Sequence, residues 1–241
     1  MTADLKDRTS DMRYAIYYLP LGETRLWKRA SGWLGYDSIT GTDLARETRD
    51  LPASLDQDRL IASPKVYGFH ATLKAPFRLN QSFGEKDLLE EAAKFATATP
   101  AAGKLVLAPA FIGDFAALVP VGPQPRLHQL ADACVLGFER FRAPMNEAER
   151  KRRILSPLTV RQIKNLEKWG YPYVFEEFRF HMTLTGDIPQ PLKESVLQKI
   201  VHEFPAADCR LDIDTICVCR QAPGERFRLI KRFKLSRAHA C

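Results

Sequence analysis

The chain has 241 residues, with 36 Lys and Arg against 29 Asp and Glu, which gives a formal charge of +7 at pH 7. A chain of this length can bury a sizeable core and needs no disulfide framework, and its five cysteines, which follow no small-domain spacing, suit a reducing compartment better than a secreted one. The apolar stretches fall short of the roughly 20 residues that a membrane helix needs, and residues 1–13 lack the apolar core of a signal peptide. We therefore expect a cytoplasmic protein without a membrane partner.

Hydrophobic periodicity divides the chain into alternating strands and helices. In chain order the predicted elements are a strand over 13–19, a helix over 24–35, a loop over 37–63, a strand over 66–75 closed by Pro76, a helix over 85–96, a hairpin of strands over 105–110 and 116–120, a helix over 125–141, a short helix over 159–170, a strand over 178–186, a helix over 191–204, and strands over 209–219 and 227–235. Strand followed by helix recurs in both halves of the chain, which indicates an internal duplication.

A five-residue pattern, Phe-His-x-Thr-Leu, occurs twice, at residues 69–73 and 180–184. Side chains two positions apart on a strand point to the same face, so His70 shares a face with Thr72, as His181 does with Thr183. Apolar residues alternate with them and face the other way. Two copies of this pattern in a chain with only five histidines favour catalysis over a structural role.

A histidine and a threonine presented twice suit phosphoryl chemistry near neutral pH, where imidazole titrates. One neutral imidazole can take a proton from an attacking hydroxyl or water while the other, protonated, gives one to the leaving oxygen. This scheme requires no metal and no cofactor. Lys74 and Arg179 continue the two polar faces and are candidate phosphate contacts. Tyr173, in the aromatic segment 169–175, is a candidate to stack on a base or sugar, with core packing as the alternative.

Other catalytic patterns are missing from the sequence. There is no Gly-x-Ser-x-Gly pattern and neither of the glycine-rich nucleotide loops, Gly-x-x-x-x-Gly-Lys-Ser/Thr or Gly-x-Gly-x-x-Gly. The pair Cys217 and Cys219 does not have the usual zinc spacing. The three remaining histidines follow no pattern and are expected to be structural or solvated: His128, His202 and His239.

The paired patterns His70-Ala71-Thr72-Leu73 and His181-Met182-Thr183-Leu184 resemble those of the two-histidine (2H) phosphoesterase superfamily. The resemblance implies an α+β fold with two lobes, in which two pseudo-symmetric antiparallel sheets are each flanked by helices and the active-site cleft lies between the lobes. It implies a single bilobed domain over 1–241 with approximate halves 13–120 and 121–235. It also implies that the histidines and threonines of the two patterns are catalytic, in a phosphodiesterase that uses no metal.

Three longer segments, residues 68–77, 169–173 and 178–186, look like a bacterial branch of that superfamily associated with phosphonate-metabolism operons. The likeness spans about residues 13–235 and implies hydrolysis of a small ribosyl cyclic phosphate, such as 5-phosphoribosyl 1,2-cyclic phosphate, by a monomer. Two alternatives stay open. One is an enzyme that acts on RNA ends with 2′,3′-cyclic phosphates or 2′,5′ links, and the other is a phosphate- or RNA-binding module without turnover. The sequence also leaves open which histidine is the base.

Overall fold

The computed structural model describes residues 11–45, 56–154 and 157–237, which form an α+β fold as predicted. The strands are β1 (Arg13–Tyr18), β2 (Tyr36–Asp37), β3 (Thr42–Asp43), β4 (Ala71–Arg78), β5 (Gly103–Ile112), β6 (Phe115–Pro120), β7 (Met182–Asp187), β8 (Arg210–Ile213), β9 (Thr215–Gln221) and β10 (Arg228–Lys234). The α-helices are α1 (Arg25–Leu34), α2 (Gln57–Tyr67), α3 (Glu85–Ala98), α4 (Pro125–Gly137), α5 (Glu147–Arg153), α6 (Val160–Trp169) and α7 (Lys193–Glu203). Short 3-10 helices occupy Glu139–Phe141, Phe175–Glu177 and Gln190–Leu192.

Eight of these strands form one antiparallel sheet in the order β10-β9-β1-β4-β7-β6-β5-β8, and β2 pairs with β3 separately. The sheet consists of two four-stranded halves, and a strand that carries a His-Thr pattern, β4 or β7, lies at the inner edge of each. The halves are joined where Ala71 of β4 pairs with Met182 of β7. The two antiparallel sheets expected from the sequence are therefore the two halves of one continuous sheet.

The two halves of the sheet do not correspond to the predicted sequence halves 13–120 and 121–235. The hairpin of β5 and β6 lies beside β7 and β8, whereas β9 and β10 lie beside β1 and β4. Each half of the sequence thus contributes a hairpin to the other half of the sheet. This exchange results from long-range pairing of β5 with β8 and of β1 with β9. Hydrophobic periodicity does not predict which strands pair.

One helix lies where the sequence predicted none. The helix α2 occupies the end of the predicted loop over 37–63 and overlaps the start of the predicted strand over 66–75. The side chain of Asp56 caps it by accepting hydrogen bonds from two backbone N–H groups of its first turn. Its apolar stripe is weak and it contains Pro64, a residue that normally argues against a helix interior, so the pattern did not reveal it.

Two predicted strands also need correction. The strand β4 continues through Pro76 to Arg78 instead of ending before the proline. The ladder between β1 and β4 is irregular between the pairs Ile16–Lys74 and Tyr14–Phe77, and this interruption accommodates a residue without an N–H group. The predicted strand over 209–219 is two strands, because the chain leaves β8 at Asp214 and β9 joins the other half of the sheet.

Helices pack on the sheet and enclose the core that supports the patterned strands. The helix α4 packs against β4, α2 against β7, α3 against β9 and β10, and α7 against β5. The apolar residues that alternate with the histidines and threonines are buried in this core: Phe69, Ala71, Leu73, Phe180, Met182 and Leu184. The period-two interpretation of both patterns is therefore confirmed.

The described residues hold four cysteines, all of them free and buried. No helix in the ranges 11–45, 56–154 and 157–237 is both long and apolar enough to cross a membrane. Most of the polar segment 1–13, the middle of the predicted loop (46–55), His239 and Cys241 lie outside the described residues.

Candidate active site

The structure brings the four predicted catalytic residues together at the centre of the sheet: His70, Thr72, His181 and Thr183. Each histidine directly precedes its strand, since β4 begins at Ala71 and β7 begins at Met182. Ala71 and Met182 pair with each other. Because the two strands are antiparallel, the histidine of each pattern lies opposite the threonine of the other. All four side chains flank the paired residues, so they lie on one face of the sheet.

Each imidazole is held by the backbone carbonyl two residues before it. The Nδ1 atom of His70 lies 2.8 Å from the carbonyl oxygen of Gly68, and Nδ1 of His181 lies 2.7 Å from that of Arg179. A carbonyl oxygen can only accept, so Nδ1 carries a proton and donates in both rings. In the neutral imidazole the other nitrogen, Nε2, is then unprotonated and can act as a base.

The first pattern has a further internal contact. The hydroxyl of Thr72 lies 3.3 Å from Nε2 of His70 and donates to it while the ring is neutral. Among the described residues, Thr183 makes no corresponding bond to His181. The two histidines are therefore held alike at Nδ1 and differ at Nε2, which allows them different roles.

Burial lowers the pKa of both imidazoles. The ring centroid of Tyr17 is 4.0 Å from that of His70, and the ring centroid of Phe115 is 5.7 Å from that of His181. Burial lowers the pKa of His70 from 6.5 to about 4 against the opposing effect of its backbone hydrogen bond, and the charge of His181 contributes in the same direction. Burial also lowers the pKa of His181 from 6.5. Both rings are therefore mainly neutral at pH 7, and they lie within electrostatic range of each other.

A cavity of about 560 Å³ opens beside this face of the sheet. Four of the predicted site residues line it: Thr72, Tyr173, Arg179 and His181. The helix α4 and the 3-10 helix Phe175–Glu177 complete its walls with mostly apolar surface, a composition typical of small-molecule sites. His70 and Thr183 do not line the cavity itself, and His70 meets it through the hydroxyl of Thr72.

Arg179 and Tyr173 are both placed to contact a bound molecule. Arg179 is exposed and its guanidinium makes no ion pair with any residue that the structure describes. Tyr173 is 40% exposed, and its ring contacts the ring of Tyr171 edge to face with centroids 5.6 Å apart. Both remain candidates for substrate binding.

Lys74 lies away from the cavity, contrary to its predicted contact with phosphate. Its Nζ atom is 2.7 Å from Oε2 of Glu139 and 3.0 Å from the carbonyl oxygen of Val135, and its side chain is only 4% exposed. Glu139 also accepts from the guanidinium of Arg142 at 2.6 Å. The alternation placed Lys74 on the polar face, but α4 covers that end of β4. The helix α4 supplies the Val135 carbonyl, and the 3-10 helix that follows it supplies Glu139.

Replacing Lys74 by methionine is expected to reduce stability more than activity. The change leaves Glu139 with one cationic partner and leaves the Val135 carbonyl without its donor, which costs about 1–3 kcal/mol of unfolding free energy. Chemical denaturation measures this loss, and we expect kcat/KM to change by less than about tenfold. Lys86→Met is the matched control, because the Lys86 side chain is 89% exposed in a surface pair with Glu90. If kcat/KM fell by much more than tenfold while the unfolding free energy changed little, Lys74 would instead have a role in the active site.

Residues of other elements complete the site, and the sequence did not single them out. Tyr17 lies on β1 opposite Thr72, Tyr67 ends α2 with its ring centroid 6.0 Å from that of His70, and Phe115 begins β6. Their positions follow from strand pairing and helix packing across the fold, and no local pattern records these contacts. In the part of the chain that the structure describes, no group of three or more His, Cys, Asp and Glu side chains is placed to hold a metal ion.

The model of the family described as "Protein of unknown function (DUF1045)" matches residues 72–228. The chain belongs to the DUF1045 family. The matched range begins at Thr72 and includes the whole second His-Thr pattern of this DUF1045 chain, the cavity-lining segment before it and most of the sheet.

Two curated relatives of the DUF1045 chain are named ribose 1,5-bisphosphate phosphokinase PhnN. The protein of Janthinobacterium sp. (strain Marseille) is 34% identical over 223 residues, which are 89% of this chain and 49% of the relative. The protein of Laribacter hongkongensis (strain HLHK9) is 36% identical over 203 residues, which are 81% of this chain and 45% of the relative. The DUF1045 chain thus spans about half the length of the curated relatives it matches.

Two solved structures are similar to the DUF1045 chain at 15% sequence identity. One is titled as the crystal structure of a phosphoesterase, with a TM-score of 0.43 and coverage of 94% of this chain and 99% of that one. The other is E. coli LigT complexed with NADP+, with a TM-score of 0.44 and coverage of 94% and 98%.

Proposed function

We propose that the protein is a metal-independent phosphodiesterase that opens a small cyclic phosphate by two-histidine acid and base catalysis. The observation that carries the proposal is the convergence of two His-Thr pairs on one face of the sheet, with Nδ1 of both imidazoles donating to backbone carbonyls. This arrangement leaves two Nε2 atoms for proton transfer beside a cavity that is also lined by Arg179, which has no ion-pair partner in the described part of the chain. It is the arrangement expected of the 2H phosphoesterase superfamily.

The environments of the two imidazoles favour His70 as the base. Its pKa is lowered to about 4, so it stays neutral where the other ring can still be protonated. In the proposed reaction Nε2 of His70 takes a proton from water as the water oxygen attacks phosphorus. The bond from phosphorus to the ring oxygen breaks, and protonated Nε2 of His181 gives its proton to that oxygen. The product is a phosphate monoester with a free hydroxyl.

The remaining polar groups hold the phosphate during this step. The hydroxyls of Thr72 and Thr183 donate to its two non-bridging oxygens, and Thr72 exchanges its bond to His70 for one to the ligand. The guanidinium of Arg179 faces the charge that develops on phosphorus-bound oxygens in the transition state, where fixed cations contribute most. Tyr173 lies where it can stack on the sugar ring or on a base.

We propose a ribosyl cyclic phosphate as the substrate, of which 5-phosphoribosyl 1,2-cyclic phosphate is the leading example. Support comes from the names of both relatives, which specify a phosphorylated ribose, and from a cavity suited to a small molecule. The kinase activity in those names is not proposed for this chain, since its sequence lacks a Gly-x-x-x-x-Gly-Lys-Ser/Thr phosphate loop. We also propose that the protein acts as a monomer in the cytoplasm.

A substrate panel tests this proposal against its two alternatives. The panel holds ribosyl 1,2-cyclic phosphate, an RNA oligonucleotide ending in a 2′,3′-cyclic phosphate, and a 2′,5′-linked dinucleotide, each assayed with and without EDTA. We expect turnover of the ribosyl compound and no effect of EDTA. Turnover of the RNA substrates alone would instead identify an enzyme that acts on RNA ends. Binding of these compounds without any turnover would identify a binding module.

The pKa values of the two histidines predict an acidic optimum for kcat/KM. Activity requires neutral His70, which protonates as pH falls through about 4, and protonated His181, which loses its proton as pH rises through a value below 6.5. The profile should therefore rise above pH 4, reach its maximum below pH 6.5 and fall toward neutral pH. Phe115→Ala exposes the His181 ring and should move only the alkaline limb to higher pH. A profile that is flat from pH 4.5 to 8 would contradict these roles.

A further inference from the structure

A second, smaller cavity lies beside the candidate active site and is rich in arginine. Its volume is about 120 Å³, and four arginines line it together with Glu149: Arg13, Arg78, Arg142 and Arg153. We call it the arginine pocket. Tyr67 also lines it, and the ring centroid of Tyr67 is 6.0 Å from that of His70. The Tyr67 ring therefore borders the pocket and also lies close to His70, the proposed catalytic base.

The arginine pocket has an excess of positive charge. Arg78 pairs with Glu149 at 2.9 Å, and Arg142 pairs with Glu139, which also binds Lys74. The other two, Arg13 and Arg153, have no carboxylate partner among the residues that the structure describes. Arg13 donates to the neutral side-chain oxygen of Gln221, and Arg153 donates to the carbonyl oxygen of Pro76 at 2.9 Å. Two guanidinium charges are thus left to face the pocket, with Asp11 as a further carboxylate near Arg78.

The guanidinium groups are held in place before any ligand binds. That of Arg153 lies 4.9 Å from the ring centroid of Tyr171, and that of Arg13 lies 5.5 Å from the ring centroid of Phe227. Arg142 packs against Gly170, where a Cβ atom would be only 3.0 Å from its side chain. Fixed cations in a small recess lose little conformational entropy on binding an anion, and guanidinium matches the oxygens of phosphate in pairs.

A third cavity, of about 10 Å³, has lining residues in common with both the main cavity and the arginine pocket. It shares Tyr171 and Val174 with the main cavity and Arg142 and Gly170 with the arginine pocket. The Tyr171 ring lines the main cavity and this third cavity, and the guanidinium of Arg153, which lines the arginine pocket, lies over that ring.

We propose that the arginine pocket binds a second phosphate group of the substrate, a monoester at the end of the sugar that is remote from the cyclic phosphate. This inference rests on the proposed function and narrows it to a doubly phosphorylated sugar. Arg13 and Arg153 supply charge to the remote phosphate, Arg78 supplies its remaining N–H groups, and Tyr67 and Tyr171 border the sugar between the two phosphates.

Two compounds that differ only in the remote phosphate test the proposal: ribosyl 1,2-cyclic phosphate with and without a 5-phosphate. The intact protein should prefer the phosphorylated compound by at least tenfold in kcat/KM. Arg153→Gln and Arg13→Gln should each reduce this preference by about 10- to 100-fold or abolish it, as expected for the loss of a charged hydrogen bond. Arg25→Gln, which removes an exposed arginine on α1, is the charge-matched control and should leave the preference unchanged.

Because the readout is a ratio of two substrates on one variant, a partial loss of folded protein cancels from it. An equal rate for both compounds in the intact protein would overturn the arginine pocket as a phosphate site and leave the proposed function standing. A preference that survives in both arginine variants would overturn it as well. Failure to hydrolyse either compound would instead reject the proposed function.

Discussion

Replacing His70 or His181 by alanine is expected to lower kcat/KM for ribosyl cyclic phosphate hydrolysis at least 100-fold. Each imidazole supplies one proton transfer, and such a step contributes roughly 10²- to 10⁴-fold. The two losses should not multiply in the double variant, because both groups act in one concerted step. Steady-state kinetics on the three variants measures this directly.

The control for these variants is His202→Ala, which removes an exposed histidine in the last turn of α7. It should retain full activity. Since His70 packs on the buried ring of Tyr17, alanine there also creates a small cavity, and His70→Gln serves as a second variant closer in size. Near-normal rates in both His70 variants would reject the two-histidine mechanism.

Replacing Gly68 by alanine is expected to damage both the fold and the site. Gly68 has φ 72° and ψ 178°, a region that is essentially restricted to glycine, and an added Cβ atom would lie 2.6 Å from Cβ of Ser38. Backbone strain and overpacking each cost about 1–3 kcal/mol. The carbonyl of Gly68 also accepts the Nδ1 bond of His70, so a shift of this residue turns the imidazole. We expect a loss of about 2–4 kcal/mol in unfolding free energy and at least a tenfold loss in kcat/KM.

Gly32→Ala is the matched control, because among the described residues no heavy atom outside the backbone of α1 and the two chain neighbours lies within 4 Å of the added Cβ. It should be neutral or stabilising by about 0.5–1 kcal/mol, since alanine is the better helix former. Combining Gly68→Ala with Ser38→Gly removes the steric overlap and leaves the strained backbone. This pair should recover part of the stability, and full recovery would show that φ at Gly68 does not matter.

Local patterns were sufficient to predict much of the fold and the core of the candidate site. Thr24 and Thr159 cap their helices with side-chain oxygens, and Gly35 and Gly170 end the same helices in the left-handed conformation. The apolar alternation of the two His-Thr patterns predicted their buried and open faces, because one face of each strand packs on the core.

What the sequence could not show depends on contacts between distant segments. The exchange of hairpins between the two halves of the sheet is a matter of strand pairing, and so is the position of Tyr17 against His70. Lys74 fits the polar alternation of β4, but only the fold shows that Glu139, in the 3-10 helix after α4, binds it. The arginine pocket likewise gathers residues from β1, β4, α5 and the segment after α4 that no sequence window contains.

Phosphorus NMR of ribosyl 1,2-cyclic phosphate incubated with the EDTA-treated protein tests the central claim most directly. We predict that the cyclic phosphate resonance is replaced by a monoester resonance at the same rate with and without EDTA, and that this conversion is lost in His70→Ala and in His181→Ala. Conversion that stops with EDTA and resumes with a divalent metal, or that continues in both histidine variants, would contradict the account.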